Sequence, residues 1–166
     1  MSVIFDTRFP VYQFPDQHPC ITTVIAHEWH HVVRELGVGY GKTLGQHLVS
    51  EGLAQAFEAQ VMNDVPPIAL ALAKKRLRAF EDPIKGMLLK RDFQGFPEIF
   101  VGERGGTYPK WFGYSFGYHL VNEWLTQNGI TASGAVNINA GKIIKPWRDG
   151  TISPFKNMSD LKSAHL

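Results

Sequence analysis

His27-Glu28-Trp29-His30-His31, with Glu51 twenty residues beyond it, decides how the rest of this 166-residue chain is read. On a helix, residues i and i+4 lie one above the other, so His27 and His31 present both imidazoles to a single point. Each nitrogen can reach one ion there at about 2 Å, the geometry that Zn²⁺ asks of histidine. Glu28 is rotated about 100° from His27 and stands beside such an ion rather than on it. A carboxylate in that position suits a general base, because zinc lowers the pKa of water toward about 7 and leaves a proton to be taken. Two histidines leave the ion short of ligands. Glu51, on the next predicted helix, is the candidate third, and one Gly-rich turn lets the two helices pack face to face around one Zn²⁺ ion.

Helical periodicity begins at Cys20 and runs to Leu36. Ile21, Ile25, Trp29, Val32, Val33 and Leu36 gather on one side, and His27, His31, Val24 and Arg34 on the other. The apolar side is expected to build core and the other to face the site. Gly37, Gly39 and Gly41 end the helix. Thr43-Leu44-Gly45-Gln46 has the form of a capping box, so a second helix is predicted over residues 44–61, where Gly52 permits close helix approach. A third is predicted over residues 68–80, rich in Ala, Leu and Lys, and a fourth over 84–91, separated by Glu81-Asp82-Pro83. Residues 92–110 read as an extended loop of a length associated with function, and helix resumes over 111–127. Residues 128–155 are turn-rich, and 158–164 form a last short helix. At the other end, Pro10, Pro15 and Pro19 with aromatic residues between them suit short strands at residues 3–5 and 11–14, with Pro19 as a first helical residue. The expected fold class is mainly α, an α+β arrangement with a small N-terminal β element, in a single domain spanning residues 1–166.

Charge is nearly balanced, 17 Lys+Arg against 15 Asp+Glu, so no broad field favours a nucleic acid or an anionic membrane as partner. The densest basic run, Lys74-Lys75-Arg76 with Arg78, reads as a solvated helix face. Cys20 is the only cysteine, which excludes an internal disulfide and a Cys-based zinc knuckle and favours a reducing compartment. No basic-then-apolar leader opens the chain, and no window reaches the roughly 18 apolar residues that span a bilayer. The expectation is a soluble, cytoplasmic protein.

Hydrolysis of an amide also needs a donor for the tetrahedral oxyanion. Trp111-Phe112-Gly113-Tyr114-Ser115-Phe116-Gly117-Tyr118-His119 offers Tyr114, Tyr118 and His119. The same residues also read as a packed stripe of Tyr114, Tyr118, Val121 and Leu125, with Gly113 and Gly117 allowing close contact. His47, four residues before Glu51 on the same face, is a reserve ligand or a partly exposed histidine without a metal role. His30 is either near the ligands or simply exposed. Arg34 shares the ligand face and is placed to hold a carboxylate of substrate or protein, or to form an ordinary surface pair.

His27-Glu28-x-x-His31 with Glu51 resembles the gluzincin clan of zinc peptidases, the thermolysin-like group with two histidines and a glutamate on zinc. Residues 48–58, Leu-Val-Ser-Glu-Gly-Leu-Ala-Gln-Ala-Phe-Glu, are similar to the glutamate helix of aminopeptidase-like gluzincins. His27 to Arg34, Thr43-Leu44 and Ser50-Glu51-Gly52-Leu53-Ala54 resemble more closely the bacterial, YjaZ-like family of predicted Zn-dependent proteases, a domain of unknown function. The likeness covers residues 20–60 well and 108–125 moderately. It implies a minimal zincin-like metallopeptidase fold with the active-site helix packed on the glutamate helix, and a zinc metallopeptidase acting on a peptide or protein substrate. It also implies roles. Tyr114-Ser115-Phe116-Gly117 matches the aminopeptidase-like pattern for the oxyanion tyrosine, which makes Tyr114 the first choice and Tyr118 and His119 reserves. The thermolysin type places an aspartate four residues after the zinc glutamate to orient a ligand histidine, and here Gln55 stands there, able to accept a hydrogen bond but without charge. The alternative reading is a catalytically inactive zinc-binding regulatory or interaction module on the same fold.

Overall fold

The computed structural model describes residues 21–91, 96–102 and 106–156. Seven α-helices lie among them: α1 (Ile21–Leu36), α2 (Leu44–Met62), α3 (Lys74–Arg78), α4 (Glu81–Met87), α5 (Phe96–Phe100), α6 (Phe112–Asn128) and α7 (Ala140–Arg148). No strand occurs among the described residues, so this part of the chain is mainly α. The strands expected at 3–5 and 11–14, Pro19, Cys20 and the helix expected at 158–164 lie outside the described residues.

α2 is the axis of the fold. It packs against α1, α6 and α7, and α6 in turn receives α3, α5 and α7. Its start is the expected capping box: Thr43 Oγ1 accepts from Gln46 N, and Gln46 Oε1 accepts from Thr43 N at 3.1 Å. Gly41, at φ +115°, is required beside this cap, because a Cβ there would fall 2.3 Å from Gln46 Cβ. Leu44, Leu48, Val49, Ser50, Leu53, Ala54 and Gln55 are fully buried, so α2 is enclosed on nearly every side. The closest approach is to α6. A Cβ on Gly52 would sit 2.3 Å from Gly117 O, and one on Gly117 would sit 2.4 Å from Leu48 O. The two glycines let the backbones touch, and Phe112, Phe116, Leu120 and Val121 close the core around them.

Several expectations are corrected here. The helix expected over 68–80 shrinks to α3, because the 68–72 segment gives its carbonyls to α6: Ser115 Oγ donates to Ile68 O at 3.0 Å, and His119 hydrogen-bonds the backbone of Leu72. The fourth helix begins at Glu81 rather than Ile84, with Pro83 accommodated in its first turn, and ends at Met87. Within the expected loop over 92–110, residues 96–100 are helical. α7 was missed within the turn-rich 128–155 stretch, where Pro146 masks an apolar pattern of Ala140, Ile143, Ile144 and Trp147. Asn139 caps it by accepting from Gly141 N, and Trp147 is buried against Phe116, its Nε1 donating to Glu81 Oε2 at 2.9 Å.

The ligand side of α1 faces the site as expected, but the apolar side does not build core. The buried residues of α1 are Ala26, His30 and Arg34, while Ile21, Ile25, Trp29 and Leu36 are 62%, 51%, 57% and 85% exposed. The polar side meets α2, and among the described residues the apolar stripe stays open. No helix of the described residues is long and apolar enough to cross a membrane.

Candidate metal centre

α1 and α2 bring His27, His31 and Glu51 together, the one group of three among the described residues whose ligand-type atoms all lie within 4.8 Å of one another. His27 Nε2 and His31 Nε2 are 3.0 Å apart, His27 Nε2 is 3.2 Å from Glu51 Oε2, and His31 Nε2 is 3.5 Å from Glu51 Oε1. Donors held by a tetrahedral zinc at about 2.0–2.1 Å lie roughly 3.3 Å from one another. Two imidazole nitrogens and one carboxylate at these spacings are therefore compatible with zinc, with a position left for water or substrate.

The electrostatics ask for positive charge at the same point. Burial works to push His27's pKa down, but hydrogen bonds and charge from Glu51 and Glu58 outweigh it and raise the imidazole to about 10. Glu51 is likewise penalised by burial, yet the two histidines hold its carboxyl well below the ordinary range. The two carboxylates thus favour positive charge at the point where a divalent cation would compete with a proton for the same donors.

Glu58 is a residue the sequence reading missed. Its Oε2 lies 3.5 Å from His27 Nδ1, so His27 turns Nε2 toward the centre and Nδ1 toward a carboxylate. That is the orienting role foreseen for Gln55. Gln55 does not take it: it is fully buried, and neither of its amide atoms has a hydrogen-bond partner among the described residues. The signal was present in the spacing, since Glu58 follows Glu51 by seven residues, about two turns, on the same face of α2. Tyr40 was also missed. It lies in the α1–α2 connection between Gly39 and Gly41, and its hydroxyl donates to Glu51 Oε1.

Glu28 is exposed and lines an open cleft of about 380 Å³ together with His31, Val32, Glu35, Leu36 and Tyr40. The half-buried Tyr114 packs edge-on against Phe100 and Trp111 and is near enough to Glu51 and Glu28 to feel their charge. Burial raises its pKa well above the usual value, and the charges of Glu51 and Glu28 raise it further, which keeps the phenol protonated and able to donate. Trp111, just before α6, holds φ 63°, a left-handed conformation costing about 1–3 kcal/mol in a non-glycine residue, and starts the turn that carries Tyr114.

The other candidates are placed elsewhere or differently. Tyr118 is buried in the core, and burial raises its pKa. His119 turns toward the 68–74 segment, where burial and the charge of Lys74 lower it to about 4. His47 stacks between Tyr40 and Phe96, with ring centroids 4.7 and 4.6 Å away. His30 is not exposed: it is buried against Phe57, and burial followed by the charges of His31 and Arg34 lowers its pKa to about 4. Arg34 is not a surface cation. It is 1% exposed, its Nε donates to Ser50 Oγ at 2.9 Å, and its Nη1 donates to the carbonyls of Val136 and Ile138.

A family model described as predicted Zn-dependent protease (DUF2268) matches residues 9–145. The chain is similar to the uncharacterized protein YjfC of Bacillus subtilis (strain 168), with 30% identity over 142 residues covering 76% of this chain and 46% of that protein. It is also similar to the uncharacterized protein YjaZ of the same organism, with 26% identity over 136 residues covering 72% of this chain and 48% of that protein. The chain spans about half the length of these curated relatives. No solved structure matches it.

Proposed function

The chain belongs to the family of predicted Zn-dependent proteases, and on that premise we propose that it is a gluzincin-type zinc peptidase with a minimal zincin-like fold in a single domain. The observation that supports this most strongly is the convergence of His27, His31 and Glu51 beside a cleft whose wall carries Glu28.

His27, His31 and Glu51 would hold one Zn²⁺, with Glu58 fixing the orientation of His27. Zinc, when bound, makes water acidic near neutral pH and polarises a peptide carbonyl. Glu28 accepts the proton of the attacking water and passes it to the leaving amine, a role that its exposure to the cleft permits. Tyr114 donates a hydrogen bond to the oxyanion as the carbonyl becomes tetrahedral, which requires the phenol to stay protonated, as its raised pKa ensures. The substrate class is a peptide or protein.

Glu28→Gln tests the mechanism. It preserves size and leaves the three ligands intact, so zinc content stays stoichiometric while turnover of a peptide library falls about 10²–10⁴-fold. Full activity in that variant would sink the assignment of the base. Stoichiometric zinc in the unaltered chain, with no cleavage of any peptide, ester or amide, would favour a zinc-binding module without turnover.

A further inference from the structure

We propose that Tyr40 is a positioning residue for Glu51, its hydroxyl fixing the rotation of the carboxylate so that the group meets the two imidazoles in one orientation. This rests on the zinc reading above and adds to it a residue from outside both ligand-bearing helices.

The geometry is a chain of fixed contacts. Tyr40's hydroxyl donates to Glu51 Oε1, which lies 3.5 Å from His31 Nε2, while Glu51 Oε2 faces His27 Nε2 at 3.2 Å. The ring stands edge-on to His31 at 4.9 Å and to His47 at 4.7 Å, so neither side offers it room to swing. The main chain is tied at both ends: Tyr40 N donates to Glu35 Oε2 at 2.6 Å, and Tyr40 O accepts from Ser50 Oγ at 2.6 Å. Ser50 is itself fixed by the buried Arg34, which reaches on to Val136 O and Ile138 O. Gly39 N and Gly37 N both donate to Arg34 O, which anchors the loop to the end of α1. A phenol on a connecting loop is thus held as firmly as a residue on a helix.

A carboxylate free at both oxygens can bind a cation through either or both, and each arrangement places the ion differently relative to two fixed imidazoles. A donor fixed on Oε1 limits the rotation that would exchange these arrangements. The orienting partners of metal ligands are typically worth 10–100-fold in metal affinity, and Tyr40 would act on Glu51 as Glu58 acts on His27.

The test is Tyr40→Phe in the full chain, which keeps the ring contacts and deletes the hydroxyl. Zinc affinity is measured by competition with a chromophoric chelator, and ligand geometry from the absorption spectrum of the Co²⁺-loaded protein. The expected result is a loss of about 10–100-fold in zinc affinity and an altered Co²⁺ spectrum, while Tyr118→Phe, in the core away from the site, changes neither. Wild-type affinity with an unchanged spectrum in Tyr40→Phe would overturn the proposal. If Tyr40→Phe does not fold, Tyr40→Met decides: it also deletes the hydroxyl without altering charge, and unchanged zinc affinity there would equally overturn it. Absence of zinc binding by the unaltered chain would instead refute the metal reading on which this proposal stands.

Discussion

α2 has two long interfaces made on opposite principles. Against α6 the contact is dry: Gly52 and Gly117 bring backbone onto backbone, and Leu48, Phe116, Leu120 and Val121 seal it. Against α1 the contact is largely polar, with His27, His31 and Arg34 meeting Ser50, Glu51 and Glu58, while His30 packs on Phe57. The dry interface supplies burial and rigidity. The polar one spends that rigidity on holding charged groups in a fixed array, which a loosely packed helix pair could not do.

The contrast can be broken at either face. The largest effect is expected from Arg34→Met, which strips Ser50 Oγ, Val136 O and Ile138 O of a buried donor at once. Urea titration of the metal-free protein should show a loss of about 2–4 kcal/mol, since a stranded buried group costs about 1–3 kcal/mol and the half-buried carbonyls of Val136 and Ile138 cost less. A change under 1 kcal/mol, on the scale of an ordinary surface substitution, would mean that the polar interface does not hold the fold. Gly52→Ala comes next. Its Cβ meets backbone that cannot rotate away, and overpacking of this kind costs about 1–3 kcal/mol. A neutral result would show that the α2–α6 contact is looser than the glycines imply.

A smaller effect separates the interfaces by pH. In the metal-free protein His27 keeps its proton up to about pH 10, whereas its ordinary value is 6.5. The folded-state pKa is raised, so this stabilisation is complete below 6.5 and is lost as pH rises through about 10. The melting temperature should therefore fall across that window, and His27→Leu should flatten the decline. A profile unchanged by His27→Leu would place the titration elsewhere. The smallest effect is expected on the open side of α1: Trp29→Ser, at a position 57% exposed, should shift stability by no more than about 0.5 kcal/mol. A loss above that would show that residues outside those described cover the stripe.

Much of the site was legible because its parts are local. His27 and His31 share a face by helical spacing, Glu28 falls beside them, and Thr43 with Gln46 starts α2 through contacts three residues apart. Glu51 then follows in register. Glu58 was legible by the same spacing and was passed over in favour of Gln55, whose position mattered by resemblance and not by contact. Tyr40 carried only a weak signal, an aromatic residue between two glycines. α7 was obscured by Pro146, although Asn139 and the spacing of Ile143 and Trp147 marked it.

What the sequence by itself determined is the grouping of His27, His31 and Glu51, since i, i+4 geometry, a capping box and a glutamate on the following helix are properties of neighbouring residues. What only the tertiary structure decided is which side of α1 is buried. Periodicity separates an apolar side from a polar one, but burial depends on what the polar side can bond. Here α2 offers Ser50, Glu51 and Glu58, so His27, His31 and Arg34 turn inward and, among the described residues, Ile21, Ile25, Trp29 and Leu36 are left exposed.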